Sequence, residues 1–173
     1  MVIFRVHADG WAEIGGSRFP CALGEAGVVS GGTKREGDGA SPAGVWPLRR
    51  LLFRPDRGPA PPTRLPIAAL RLDDGWCDAP GDPRYNRQVT LPHAASAESL
   101  WREDGLYDLI LVVGHNDSPP RPGAGSAIFV HLASEGFAPT KGCVALHRPA
   151  LERLLAIAAP GDALEILSGE DRL

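Results

Sequence analysis

The segment FAPTKGCVALHR, Phe137 to Arg148, concentrates the residue types that can do chemistry. Cys143 follows Thr140, Lys141 and Gly142 and precedes an apolar run, and His131 lies a short distance upstream. A thiol becomes a nucleophile near neutral pH only with help, and a histidine within hydrogen-bond reach is the commonest source of it. His131 closes the apolar run AIFVH, and Cys143 opens the next run after the loop LASEGFAPTKG, so neighbouring strands would bring the two together. Gly142 permits a sharp turn, the Gly142 and Cys143 amides could face a developing oxyanion, and Thr140 and Lys141 add a hydroxyl and a positive charge. On that reading Cys143 is expected to be exposed, partly ionised and labelled by thiol reagents faster than Cys21 or Cys77. The competing reading is a buried small hydrophobe. His147 is too far to share a proton if residues 143–147 are extended, since four residues at ~3.3 Å each span about 13 Å. The same distance argues against a zinc site of His131, Cys143 and His147. His147 is instead expected at the start of the final helix, and neither metal nor cofactor is expected.

The elements that must position these residues are mainly β. Runs at 2–7, 11–14, 19–23, 27–30, 109–113, 127–132 and 143–146 are short, rich in β-branched and aromatic residues, and bounded by turn formers. VWPL after the turn GDGASPAG, and 163–167 at the end, read as further strands. This pattern predicts a β-sandwich or partly closed barrel with one or two short helices. One helix is placed around Ala94–Trp101, capped by Ser96. The clearer one runs from Pro149 to about Ala158, with Leu151, Leu154, Leu155 and Ala158 forming an i, i+3, i+4, i+7 stripe. FRPDRGPAPPTRLP, residues 53–66, reads as an exposed loop.

With 173 residues, 43% hydrophobic and 23% charged, the chain is read as one domain over 1–173. A net charge of −3 with scattered arginines gives no phosphate-binding surface, so no nucleic-acid partner is expected. No apolar run is long enough for a membrane span. The N-terminus reads as a strand rather than a signal peptide, which leaves a cytosolic location, a missing leader or another export route. Three cysteines are an odd number, so at least one is free or pairs between chains. The count allows a Cys21–Cys77 bridge that would leave Cys143 over.

Five motifs then stand in order: KxxGDGxSPxGxWxL (Lys34 to Leu48), GWCDAPGDPRYN (Gly75 to Asn86), VVGHND (Val112 to Asp117), GxGSAIFVH (Gly123 to His131) and PTKGCVAL (Pro139 to Leu146). Together they resemble the YkuD-type L,D-transpeptidase domain. The resemblance implies a mostly β catalytic domain with Cys143 as nucleophile and His131 as general base, acting on an L-to-D bond of a peptidoglycan stem through a thioester that the amine of a second stem resolves. It implies an oxyanion hole from the Gly142 and Cys143 amides, with Thr140 helping to hold the site. Asp78, Tyr85, Asn86, His115 and Asn116 match polar positions in the accompanying motifs and would line the pocket, and Arg84 would bind a stem carboxylate through its forked donors. A cell-envelope or periplasmic location, carbapenem acylation and a monomer are the corresponding expectations.

The sequence departs from the family pattern at Lys141, where a histidine is usual, at Ala145, where an arginine or asparagine is usual, and in a shorter loop between His131 and Cys143. These differences surround the substrate pocket and raise the prospect of a different L-to-D bond, the one after the first L-alanine. Lys141 would act as a charge, toward the thiolate or a stem carboxylate. Hydrolysis of the same stems, as an L,D-carboxypeptidase or amidase, and a non-catalytic wall-binding or regulatory domain are the alternatives.

Overall fold

The computed structural model describes residues 1–169. Thirteen strands and one helix follow in the order β1 (Ile3–His7), β2 (Trp11–Ile14), β3 (Ser17–Ala22), β4 (Val28–Ser30), β5 (Ser41–Phe53), β6 (Ile67–Ala69), β7 (Asp74–Cys77), β8 (Gln88–Thr90), β9 (Ala97–Ser99), β10 (Leu109–Val113), β11 (Phe129–Leu132), β12 (Val144–Leu146), α1 (Arg148–Ile157) and β13 (Ala163–Leu167). A ten-stranded sheet runs β10-β11-β12-β3-β2-β1-β13-β5-β4, with β6 on β5. An added pairing of β10 with β5 closes it into a barrel. Closure depends on β5, whose thirteen residues pair with β13 over Gly44–Pro47 and with β10 over Leu48–Phe53. A separate three-stranded sheet, β8-β7-β9, stands beside the barrel.

Two apolar clusters follow from the strand period of two. Val130, Val144, Leu146 and the buried face of α1 belong to the barrel interior. Phe129, Ile110, Val112 and Cys143 point to the other side and pack with Leu52, Trp76, Leu100 and Tyr107 in a second cluster under the small sheet. This explains why β10 and β11 are buried along their whole length and read as continuous apolar runs.

The predicted barrel, final helix and final strand are present. The helix buries Ala150, Leu151, Leu154 and Leu155, and His147 is its N-cap residue. Residues 94–101 are not helical. Instead β9 pairs antiparallel with β7, with Gly75 opposite Ser99, Trp76 opposite Glu98 and Cys77 opposite Ala97. The alanines favour a helix locally, but the segment has no apolar stripe at helical spacing, and sheet pairing over the second cluster decides the outcome. No disulfide links Cys21 and Cys77, for all three cysteines are free thiols. The 53–66 loop is exposed at its centre and fixed at its start by Arg54, buried with its guanidinium 3.7 Å over the Trp101 ring and paired to Asp56 at 2.8 Å.

Because Leu154 is 1% exposed inside the barrel cluster, Leu154→Ala should lower unfolding free energy by about 2–5 kcal/mol. Ile157→Ala, on the outer edge of the same helix and 37% exposed, should cost less than about 1 kcal/mol. Urea unfolding of both variants checks this, and equal costs would contradict the packing described.

Candidate active site

Strands β11 and β12 are parallel, with Val130 beside Val144 and His131 beside Ala145. The loop 133–142 therefore runs back along the sheet, instead of turning the chain directly as a hairpin. Thr140 docks it onto the 23–25 segment: its N–H donates to the Leu23 carbonyl at 2.9 Å, and its carbonyl accepts from Glu25 at 2.8 Å. In this register Cys143 stands level with Phe129, two residues before His131 and on the same face. Strand spacing of ~4.8 Å and two residues of rise place the two Cα atoms about 8 Å apart, so their side chains can meet.

Both residues line a cleft of about 630 Å³ between the barrel and the small sheet, with Lys34, Glu36, Asp78, Glu98, Arg102, Tyr107, Thr140, Lys141 and Ala145. The Cys143 thiol donates to the Ala127 carbonyl at 3.1 Å and accepts from the Phe129 amide at 3.4 Å. His131 Nδ1 donates to the Leu132 carbonyl at 2.8 Å, which leaves Nε2 with its lone pair. Burial holds the imidazole below its ordinary pKa, so it is neutral near pH 7 and able to accept a proton.

Cys143 is neither exposed nor partly ionised. It is 9% exposed, and burial followed by the charge of Glu98 pushes its pKa up to about 12, against opposing contributions from the Phe129 amide, Lys34 and Arg102. The resting pair is thus thiol and neutral imidazole. Lys141 does not supply the nearby charge: its side chain is 84% exposed at the cleft rim, where Nζ pairs with Glu25 at 2.6 Å. The cations that act on the thiol are Lys34 and Arg102.

The loop before Cys143 is clamped. Thr140 Oγ1 accepts from the Gly142 N–H at 3.1 Å and donates to the Cys143 carbonyl at 2.7 Å. The Gly142 amide is therefore committed to Thr140, not presented to substrate. Gly142 has φ +138°, and a Cβ there would meet the Ala40 carbonyl at 2.8 Å, so only glycine fits. Ser41, wholly buried, donates to the Gly142 carbonyl at 2.8 Å and accepts from Gly24 at 2.9 Å. The GDGASP turn that carries Ser41 is itself closed by the buried Lys34, whose Nζ lies 2.5 Å from Asp38.

Of the predicted pocket residues, Asp78 lines the cleft with one buried carboxylate oxygen that has no hydrogen bond among the described residues. Asn86 lies behind it. Its Oδ1 accepts from Trp76 Nε1 at 2.9 Å and from the Ala127 amide at 3.1 Å. Its Nδ2 donates to the carbonyls of His115 at 3.1 Å and Asn116 at 2.8 Å. The amide is fully used, and it fixes Ala127, a non-glycine residue at φ +53° whose carbonyl holds the Cys143 thiol. Asn116 closes the 116–125 loop on Arg121 and Gly125. Tyr85 is buried, donating to Glu36 at 2.5 Å and accepting from Gly125 at 3.1 Å. His115 is buried edge-on to Trp46 with ring centres 4.7 Å apart. Arg84 is outside the cleft, bonded to the Gln88 carbonyl in a shallower hollow with Asp74 and His93.

Glu98, Arg102 and Tyr107 were not singled out from sequence. Glu98 lay in the segment read as helix, whereas its β9 pairing with Trp76 turns it to the cleft. The Tyr107 hydroxyl donates to Glu98, its ring lies edge-on to His131 at 5.2 Å, and Arg102 sits 4.9 Å over that ring while paired to Asp104.

Cys143 and His131 therefore share one face of the sheet and one cleft between the barrel and the small sheet. The YkuD model, described as the L,D-transpeptidase catalytic domain, matches residues 8–166, and the chain belongs to that family. A solved L,D-transpeptidase from Mycobacterium tuberculosis H37Rv aligns with 96% of this chain and 57% of its own, at 12% identity and a TM-score of 0.44. The present chain thus spans less than two thirds of that protein. No curated protein matches the chain. Among the described residues no helix is long and apolar enough to cross a membrane.

Asn86→Ala would strand the Trp76 and Ala127 donors, each lost partner costing about 1–3 kcal/mol. It should lower the melting temperature and slow modification of Cys143 by an electrophile that fits the cleft; unchanged behaviour would show that the Asn86 link to Ala127 is idle. A second expectation concerns acid. Burial, aided by Lys34, lowers the His115 pKa from 6.5 to about 4. A depressed value in the folded state means stability present above pH 6.5 and lost as pH falls toward 4, by about 3 kcal/mol at ~1.4 kcal/mol per unit. His115→Phe should reduce that decline in unfolding free energy measured between pH 7 and 4.

Proposed function

We propose that this protein is a cysteine L,D-transpeptidase acting on peptidoglycan stem peptides through a thioester at Cys143. The observation that carries this reading is the alignment of Cys143 and His131 on one face of β11 and β12, with Nε2 of His131 free to accept and both side chains opening on the same cleft. His131 Nε2 takes the thiol proton as Sγ attacks the carbonyl of an L-to-D bond. The C–S bond forms, and His131 returns the proton to the departing amine of the D-residue. The Cys143 backbone N–H is the amide that remains for the oxyanion, since Gly142 donates to Thr140. Thr140 and Asn86 act as positioning residues, the first through the loop and the second through Ala127.

Keeping the thiol protonated until substrate arrives suits a dry site, because a lone buried thiolate is costly. Substrate burial displaces water and strengthens the pull of Lys34 and Arg102 on the developing thiolate. With Ala145 in place of a longer polar residue, Arg102 and Lys34 inside the cleft and Lys141 and Asp78 at its margins are the groups that would read stem charges. Lys141 exchanges Glu25 for a stem carboxylate at the rim. A cell-envelope location and carbapenem acylation of Cys143 follow from the same reading.

Incubating the protein with a tetrapeptide stem and a second stem bearing a free amine should give a cross-linked product by mass spectrometry. His131→Gln should fold and react about 10² times more slowly. A folded His131→Gln with the wild-type rate would remove the histidine from the mechanism, and products formed by Cys143→Ala would remove the cysteine.

A further inference from the structure

Transfer needs more than a nucleophile and its base. The incoming amine arrives protonated, must bind beside the thioester ahead of water, and must lose a proton before it can attack. The cleft holds a group of the right kind close to Cys143. Glu98 lines the same cavity, and its carboxylate accepts a hydrogen bond from the buried Tyr107, whose ring lies against His131. The neighbouring Arg102 is engaged with Asp104, and among the described residues Glu98 has no ion-pair partner within 4.0 Å. A half-buried carboxylate with no ion pair of its own is costly to hold charged and is relieved by a cation. Its presence also opposes the first half-reaction, since its charge raises the Cys143 pKa. Once the sulfur is acylated that opposition vanishes, because a thioester carries no charge.

Resting on the transpeptidase reading, we propose that Glu98, oriented by Tyr107, is the acceptor-specificity residue: it binds the ammonium group of the incoming amine in the acyl-enzyme and takes its first proton. The steps balance. R–NH3⁺ gives one proton to the Glu98 carboxylate, and the neutral amine attacks the thioester carbonyl. The C–N bond forms and the C–S bond breaks, with the electron pair passing to Sγ. The second amine proton passes through His131 Nε2 to the departing sulfur, restoring the Cys143 thiol, and the third stays on the new amide. Glu98 then releases its proton to solvent. Burial raises the Glu98 pKa, with Asp78 and Glu36 adding to the rise against Tyr107 and Arg102, which makes the carboxylate a better proton acceptor than an exposed one. Hydrolysis has no ammonium to bind and gains nothing from this arrangement.

Glu98→Gln is the test, because the amide oxygen still accepts from Tyr107. With a tetrapeptide donor, wild type and variant are compared for the ratio of transfer to hydrolysis with two acceptors: a stem peptide bearing an ammonium group, and hydroxylamine, which is largely uncharged near neutral pH. The ratio for the stem amine should fall at least tenfold in the variant while that for hydroxylamine changes less than threefold. Iodoacetamide should label Cys143 faster in the variant, since a charge opposing thiolate formation is gone. Equal losses with both acceptors would make Glu98 structural, a fall in hydrolysis alone would make it a water-activating base, and an unchanged ratio would leave it without a role; each overturns the assignment. If wild type forms no acyl-enzyme the transpeptidase reading falls with it, whereas an acyl-enzyme with an unchanged ratio removes only Glu98.

Discussion

Everything chemical in this protein depends on one register, the parallel pairing of β11 with β12. Val130 and Val144 are drawn into the barrel interior, and the strand period then sends Phe129, His131, Cys143 and Ala145 to the opposite face. A slip of one residue would bury the histidine among barrel aliphatics and turn the valines to the cleft. The barrel is therefore the device that aims the site. The small sheet and the segment that leads from it to β10 complete it, covering that face with Trp76, Leu100 and Tyr107, and β9 directs Glu98 into the space that remains.

That cover sets the electrostatics. A cysteine packed against Phe129 and held by the Ala127 carbonyl is a poor thiolate, and a buried histidine is a poor imidazolium. Both effects favour the uncharged pair. Rigidity comes from polar groups behind the cleft. Asn86 ties Trp76, Ala127, His115 and Asn116 together, and Ser41 ties the Gly142 carbonyl to Gly24. The bonds to Trp76, His115, Gly142 and Gly24 are buried, so each lost partner there leaves an orphan that water does not readily satisfy.

The sequence made the apolar strands and the final helix legible, because LILVV, AIFVHL and the Leu151–Leu154–Leu155 stripe carry their period openly. It also singled out Cys143 and His131, which the structure places on one face and in one cleft, through motifs that resemble a family to which the chain does belong. The full length of β5 was hidden by Pro42, Gly44 and Pro47, which break a strand locally but are accommodated where β5 changes partners from β4 to β13 to β10. Residues 94–101 misled because alanine speaks for helix while the deciding contacts, with β7, are distant in sequence. The same distance hid Glu98 and Tyr107. Burial of the thiol was equally out of reach, for a Thr-x-Gly-Cys turn looks exposed until the second sheet is placed over it. Asn86 and Asn116 were legible as important polar positions, but whether a side chain faces the cleft or braces its wall depends on backbone conformations, both near φ +50°, that residue type alone leaves open.

The central claim is that Cys143 carries the acyl group of a peptidoglycan stem. The most direct measurement is to mix the protein with a tetrapeptide stem, quench in acid within the first turnover, and map the adduct by peptide mass spectrometry. An acyl mass, the stem less its departing D-residue, is expected on the peptide containing Cys143, labile to hydroxylamine as a thioester is. An unmodified Cys143 during demonstrable turnover, or the same adduct on another residue, would contradict it.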